Sequence, residues 1–483
     1  MKFELINKNV NQIKADCEVV FTVNKNLKHK WVKDKDDLKT LDFKGEPEER
    51  VFLPHKKRIY IAVDSLAHDS LRVACAQAIR IFQKTKFKSI KIGSYLDKDD
   101  SLNNISAAIE GFILGDYNFD KYKTKKNKNF VGKIIISSEE YNNKKIGIEQ
   151  AEKTMKQGQI IAEAVNLSRE IVNQTPDDMT PAKLGEAAKE LAKENNLQCK
   201  VYGEQFLKKN NMNAFYAVSK GSAHEPKLIH LIYKHKKPVK RIVLVGKGLT
   251  YDSGGLNLKL TNSMITMKSD KSGASAVLGI IKAAQELNLP LEIHGIIGAT
   301  ENMIGGKAYK PDDVLIAKNK KTIEVRNTDA EGRLILADCL CYGQEFKPDY
   351  ILDFATLTGA CKVALGEYTI GVMGLNDKLK KEIIQAANNS GELAAELPFN
   401  KYLSKLLKSE VADISNISSS KFGGAITAAL FLSEFIEKKN KDKWIHLDIA
   451  GPAYIEKEWG YNPHGASGAG VRLALKWMEN LDK

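Results

Sequence analysis

Residues 327–334 read NTDAEGRL, which sets two carboxylates, Asp329 and Glu331, and the guanidinium of Arg333 at every second position. A β-branched stretch, TIEV at 322–325, precedes them, and an apolar run, LILADCL at 334–340, follows with the spacing of a buried helix. The three ionisable groups therefore fall on a strand-to-helix turn, and in extended backbone residues two apart point the same way. Two carboxylates held together repel, and one stays protonated unless a cation neutralises both; divalent metal ions are the usual cation. The plainer reading is a capping box, Thr328-x-x-Glu331, whose side chains only satisfy backbone donors at a helix start.

A second cluster upstream tips the balance. GKGLTYDSGG at 246–255 follows an expected strand at 241–245 and carries Lys247 and Asp252. Lys259 comes next in GLNLKL, and Asp270 in MKSD just ahead of an expected helix. The glycines are expected to let the backbone turn tightly at the strand end. Neither GxxxxGK[ST] nor GxGxxG is present, so no phosphate-cradling loop is indicated. Taken singly, the lysines read as surface lysines and Asp270 as a helix N-cap. Together, Asp252, Asp270, Asp329 and Glu331 have the composition of an oxygen-rich site for two divalent ions. A lysine joins such a site only as a neutral amine, a form that burial and adjacent dications favour. The second lysine and Arg333 would stay charged and stabilise an oxyanion. The nine histidines form no HExxH and the six cysteines no CxxC, so carboxylates must hold any metal. The cysteines read as buried free thiols of a reducing compartment.

The elements that must position these groups follow from length and periodicity. A chain of 483 residues implies two domains. Expected strands at 19–23, 58–63, 89–92 and 133–138, with helices at 70–85 and 101–114, make residues 1–150 a small α/β domain without chemistry of its own. A helical pattern at 149–172, stopped before Pro176, makes 151–175 a linking helix. Residues 176–483 alternate strands (228–233, 241–245, 291–297, 350–354, 369–373, 444–449) with helices (182–195, 274–287, 331–345, 379–390, 425–438). That pattern predicts a larger α/β domain with a central, mostly parallel sheet covered by helices on both faces, which binds ligands at the carboxyl ends of its strands.

The net charge of +14 is mostly lysine, with local runs such as KYKTKKNK at 121–128 and KHKKPVKR at 234–241. These read as solvated loops, with nucleic acid retained as one class of partner. No apolar run reaches about 18 residues, so no membrane span is expected. The first 20 residues lack an apolar signal core, which points to the cytoplasm.

NTDAEGRL resembles the signature of the leucyl aminopeptidases, the M17 metallopeptidases, also called aminopeptidase A in bacteria. GKGLTYDSGG, Lys259, MKSD, DFATLTGA at 353–360 and WIHLDIAG at 444–451 fit the same family in the same order. The resemblance covers about residues 160–483 and extends more loosely to the N-terminal part. It implies a homohexamer whose subunits bind two divalent ions, Zn²⁺ and/or Mn²⁺. Asp252 and Glu331 would bridge the ions, Lys247 and Asp270 would complete one site, and Asp329 the other. Lys259 would polarise the scissile carbonyl, and Arg333 would hold a bicarbonate ion as general base. Met267, Thr356, Gly359 and Ala450 would line the pocket for the substrate's first side chain. One departure stands out: after Asp270 the family commonly continues Met-x-Gly, and this chain has Lys271-Ser272-Gly273.

The expected activity is removal of N-terminal Leu and other apolar residues from peptides with a free N-terminus. The rival readings are another dinuclear hydrolase on the same carboxylates, such as a phosphoesterase, and a basic hexamer that binds DNA.

Overall fold

The computed structural model describes residues 1–96, 101–126, 130, 132–142 and 147–481. By its contacts the chain divides into one unit of residues 1–166 with 457–464 and a second of 167–456 with 465–483. Residues 127 and 128 of the lysine run at 121–128 lie outside the described residues.

In the first unit, β1 (Lys2–Ile6), β2 (Cys17–Val23), β3 (Arg50–Leu53), β4 (Arg58–Val63), β5 (Ser89–Ser94) and β6 (Lys133–Glu140) form one sheet. Its order is β1-β6-β5-β2-β4-β3, parallel except for the β3–β4 pair. Near-continuous apolar strands such as IYIAV, with Ile59 through Ile61 fully buried, are what a sheet covered on both faces requires. The helix His68–Phe82 packs on this sheet against β4, and the helix Ser101–Asp116 packs alongside that helix.

The second unit contains β7 (Gln198–Tyr202), β8 (Lys227–Lys234), β9 (Lys240–Asp252), β10 (Leu291–Asn302), β11 (Val314–Ile316), β12 (Thr322–Glu324), β13 (Tyr350–Ala355), β14 (Thr369–Gly374), β15 (Leu393–Glu396), β16 (Ile414–Ser415) and β17 (Trp444–Asp448). Eight of them make a sheet of order β15-β14-β17-β13-β9-β10-β8-β7. Its centre, β17-β13-β9-β10, is parallel, and antiparallel pairs occur toward the edges. Helices Ser272–Glu286 and Gly332–Gln344 are buried along most of their length. The helix Pro181–Glu194 starts as its letters suggest, with Pro181 in the first position and the Thr180 hydroxyl accepting from the Lys183 amide.

Two strands outrun the expectation. β9 continues seven residues past Val245, so Lys247 lies inside a strand, paired with Gly298, and only Asp252 stands at its end. Gly246 serves close approach rather than a turn, since a Cβ there would sit 2.7 Å from the Gly273 carbonyl oxygen. β10 runs on with it to Asn302, opposite Asp252. The cysteines are free; Cys17, Cys75, Cys339 and Cys361 are buried, and Cys199 and Cys341 are half-buried.

A buried chain of polar groups crosses this sheet. Tyr342 OH lies 3.3 Å from His230 Nδ1, His230 Nε2 lies 3.0 Å from His294 Nδ1, and His294 Nε2 lies 3.0 Å from Glu292. Burial, with the neighbouring His294, pushes the His230 imidazole from 6.5 down to about 3. The unfolded chain then binds the extra proton, so this stabilisation is complete above pH 6.5 and is lost as the pH falls toward 3. Between pH 6.5 and 5 the loss is about 2 kcal/mol. Calorimetric melting of the wild type against His230→Gln should give a Tm gap that narrows across this window; parallel curves would refute the linkage.

Candidate metal centre and active site

The parallel strands β9, β13 and β17 end together, and their ends and following turns build one cavity of about 510 Å³. All eleven residues singled out from the sequence line it: Lys247, Asp252, Lys259, Met267, Asp270, Asp329, Glu331, Arg333, Thr356, Gly359 and Ala450. Asp270 and Met267 come from the short turn of helix Met267–Lys271, and Glu331 immediately precedes the helix Gly332–Gln344.

Within the cavity the charges interlock. Lys247 Nζ is 2.8 Å from Asp270 Oδ1 and 3.1 Å from Glu331 Oε1, and it donates to the Thr356 carbonyl at 3.0 Å. Lys259 Nζ is 2.9 Å from Asp252 Oδ2 and 2.6 Å from Asp329 Oδ1. Burial alone would push both amines down, but the facing carboxylates hold both above the usual lysine range. Burial, reinforced by Asp252, raises the Glu331 carboxyl, and burial likewise raises Asp270 and Asp329. This many buried carboxylates cost more than two ammonium groups offset, which is the electrostatic signature of a cation site.

Two further features fit divalent ions. One oxygen each of Asp252, Asp329 and Glu331 lies within 4.8 Å of the others. Asp270 Oδ2 and Glu331 Oε2 are buried and accept no hydrogen bond among the described residues, an arrangement that hard oxygen-seeking cations satisfy. Arg333 fits an anion equally well. Its Nη1 donates to the Asn416 carbonyl at 2.8 Å, while its buried Nε has no partner among the described residues. Burial lowers its pKa to about 10.

The NTDAEGRL turn is not a capping box. Glu331 itself occupies the N-cap without a side-chain cap, and the Thr328 hydroxyl donates to Gly254 O at 2.7 Å and accepts from the Asn257 amide at 2.8 Å. This crosslink holds the 254–257 turn against the acidic turn, and Gly254 is required there: its φ is +89°, and a Cβ would come within 2.9 Å of Asp329 Oδ1. Asn302 Nδ2 donates to Asp252 Oδ1 at 2.8 Å and to the Thr328 carbonyl at 3.0 Å, which orients the aspartate. Asn416 reads the same turn from the other side, accepting from Arg326 N and donating to Asn327 O at 2.7 Å. Sequence reasoning missed Asn302 and Asn416, because lone asparagines carry no spacing signal; only the β9–β10 register brings Asn302 to Asp252.

Lys271, at the departure from the usual pattern, is fully buried and donates to the carbonyls of Gln174 and Lys268 at 3.1 and 2.7 Å. It therefore ties down the segment that carries Asp270, and burial pushes its amine down to about 7.

Residues 166–475 match the model of the cytosol aminopeptidase family's catalytic domain, and residues 38–126 that of the same family's N-terminal domain. The chain belongs to the cytosol aminopeptidase family. It is 54% identical to a probable cytosol aminopeptidase of Wolinella succinogenes, with 98% of each chain covered. It is 52% identical to one of Campylobacter jejuni, with 99% of this chain and 98% of the relative covered. Among solved structures it is similar to a mutant of tomato leucine aminopeptidase, with a TM-score of 0.88, 30% identity and coverage of 99% of this chain and 96% of that one. The bottromycin maturation enzyme BotP in complex with Mn gives the same TM-score at 28% identity, with 97% and 100% covered. As a cytosol aminopeptidase, the chain is a metal-dependent peptidase of the α/β class. No helix among the described residues is long and apolar enough to cross a membrane.

Proposed function

We propose that this aminopeptidase removes N-terminal Leu and other apolar residues from peptides in the cytoplasm, as a homohexamer that uses two divalent ions, Zn²⁺ and/or Mn²⁺, in each subunit. The observation that carries the reading is the buried acidic cluster with its unsatisfied oxygens beside two lysines and an arginine. In this proposal residues 176–483 carry the chemistry, 151–175 link, and 1–150 are non-catalytic.

Asp252 and Glu331 would bridge the two ions, with Lys247 and Asp270 completing one site and Asp329 the other. Bound there, the ions supply electrophilic pull on the scissile carbonyl, a water acidic enough to attack at neutral pH, and an anchor for a free α-amine. Lys247 serves as a ligand only after its ammonium loses a proton, which metal uptake would release. Lys259, held between Asp252 and Asp329, keeps its charge and donates to the oxyanion that forms on the carbonyl. Arg333 offers its unpartnered Nε to a bicarbonate ion acting as general base. Met267, Thr356, Gly359 and Ala450 would receive the first side chain; a Cβ on Gly359 would meet nothing within 4 Å, so the wall there is bare backbone facing open space.

The test is release from leucine p-nitroanilide by metal-stripped protein refilled separately with Zn²⁺ and with Mn²⁺. Release should return with metal and be absent from the N-acetylated substrate. Cleavage of nitrophenyl phosphate with no release of leucine would replace this reading with a phosphoesterase on the same carboxylates.

A further inference from the structure

We propose that Asp448 is a positioning residue that sets the shape of the pocket for the substrate's first side chain; the inference rests on the aminopeptidase reading of that pocket. Asp448 ends β17 and is fully buried, yet it is neither one of the four carboxylates of the metal centre nor part of the cavity lining. Both its oxygens are committed to the turns that carry the pocket. Oδ1 accepts from the Leu357 amide at 3.2 Å and the Ala450 amide at 3.1 Å, and Oδ2 accepts from the Thr358 hydroxyl at 2.8 Å. These donors come from two separate turns, one after β13 and one after β17, which supply Thr356 and Gly359 on one side and Ala450 on the other. A single carboxylate thus fixes the distance between the two walls.

Side-chain packing cannot take over this task. Of the residues assigned to this pocket, only Met267 carries a long side chain; Thr356, Gly359 and Ala450 are short and Gly359 faces open space, so the position of the two turns that carry them sets much of the room the substrate finds. The Thr358 hydroxyl also accepts from the Cys361 amide at 3.0 Å, so its one proton is assigned to Asp448. The same turn reaches the metal centre through Thr356, whose hydroxyl donates to Asp270 Oδ1 at 2.5 Å and whose carbonyl accepts from Lys247.

Asp448→Asn turns one accepting oxygen into a donor, so either the Thr358 hydroxyl or the two amides lose their acceptor. Thr358→Val breaks the link from the other end and serves if the first variant does not fold. The measurement is kcat/KM on leucine and alanine p-nitroanilides with the full metal-loaded chain, read as the Leu-to-Ala ratio, which does not depend on the fraction of active enzyme. Both variants should lower that ratio about 10-fold, a discrimination typical of one or two methylenes, through a raised KM for leucine and with bound metal unchanged. An unchanged ratio, whatever the total activity, overturns the inference. Wild-type protein that releases neither substrate overturns the aminopeptidase reading itself, and this inference with it.

Discussion

Asp252→Asn is expected to lower kcat/KM on leucine p-nitroanilide by about 10³-fold or more, roughly 4 kcal/mol of transition-state stabilisation. The reason lies in how little else Asp252 does. Its Oδ1 accepts from the Gly254 amide and Asn302, contacts that an asparagine oxygen keeps, while Oδ2 faces only Lys259 and the acidic cluster. The substitution therefore removes a charged bridging ligand and leaves its orientation intact. Because the cluster without ions is self-repelling, the metal-free variant should melt no lower than the metal-free wild type, and stabilisation by added Zn²⁺ or Mn²⁺ should shrink in the variant. Full activity with a normal metal content would remove Asp252 from the centre.

Lys259→Ala should separate chemistry from metal binding. Its ammonium is held by Asp252 and Asp329 and lines the open cavity, whereas Lys247 is enclosed between Asp270, Glu331 and the Thr356 carbonyl. Loss of a preorganised donor to a developing oxyanion costs about 10²–10³ in kcat. KM should move little, and metal content by elemental analysis should stay at the wild-type level. A fall in metal content matching the fall in rate would recast Lys259 as a ligand-ordering group.

The chain's letters single out residues that the fold gathers in one cavity, and most of the elements that carry them. Asp329, Glu331 and Arg333 stand out because alternating charge between a β-branched stretch and an apolar helix is a local pattern, and local patterns survive in one dimension. The same holds for the strand and helix periodicities and for Pro181 at a helix start. What the letters left open, or got wrong, depends on residues far apart in the chain. Thr328 reads as a helix cap, yet it crosslinks to Gly254 and Asn257, more than 70 residues away. The glycines of GKGLTYDSGG read as a turn, and Gly254 and Gly255 do turn with positive φ, but β9 runs on through Gly246 and Gly248, with the backbone of Gly273 and Ala274 close against Gly246. Asn302, Asn416 and Asp448 carry no spacing signal; they act only because register aligns β10 with β9 and β16 with β12, and because the turns after β13 and β17 meet. Residue chemistry is written along the chain, but the partners that aim a buried carboxylate or shape a backbone wall are chosen by strand order and packing, which exist only once the sheet has formed.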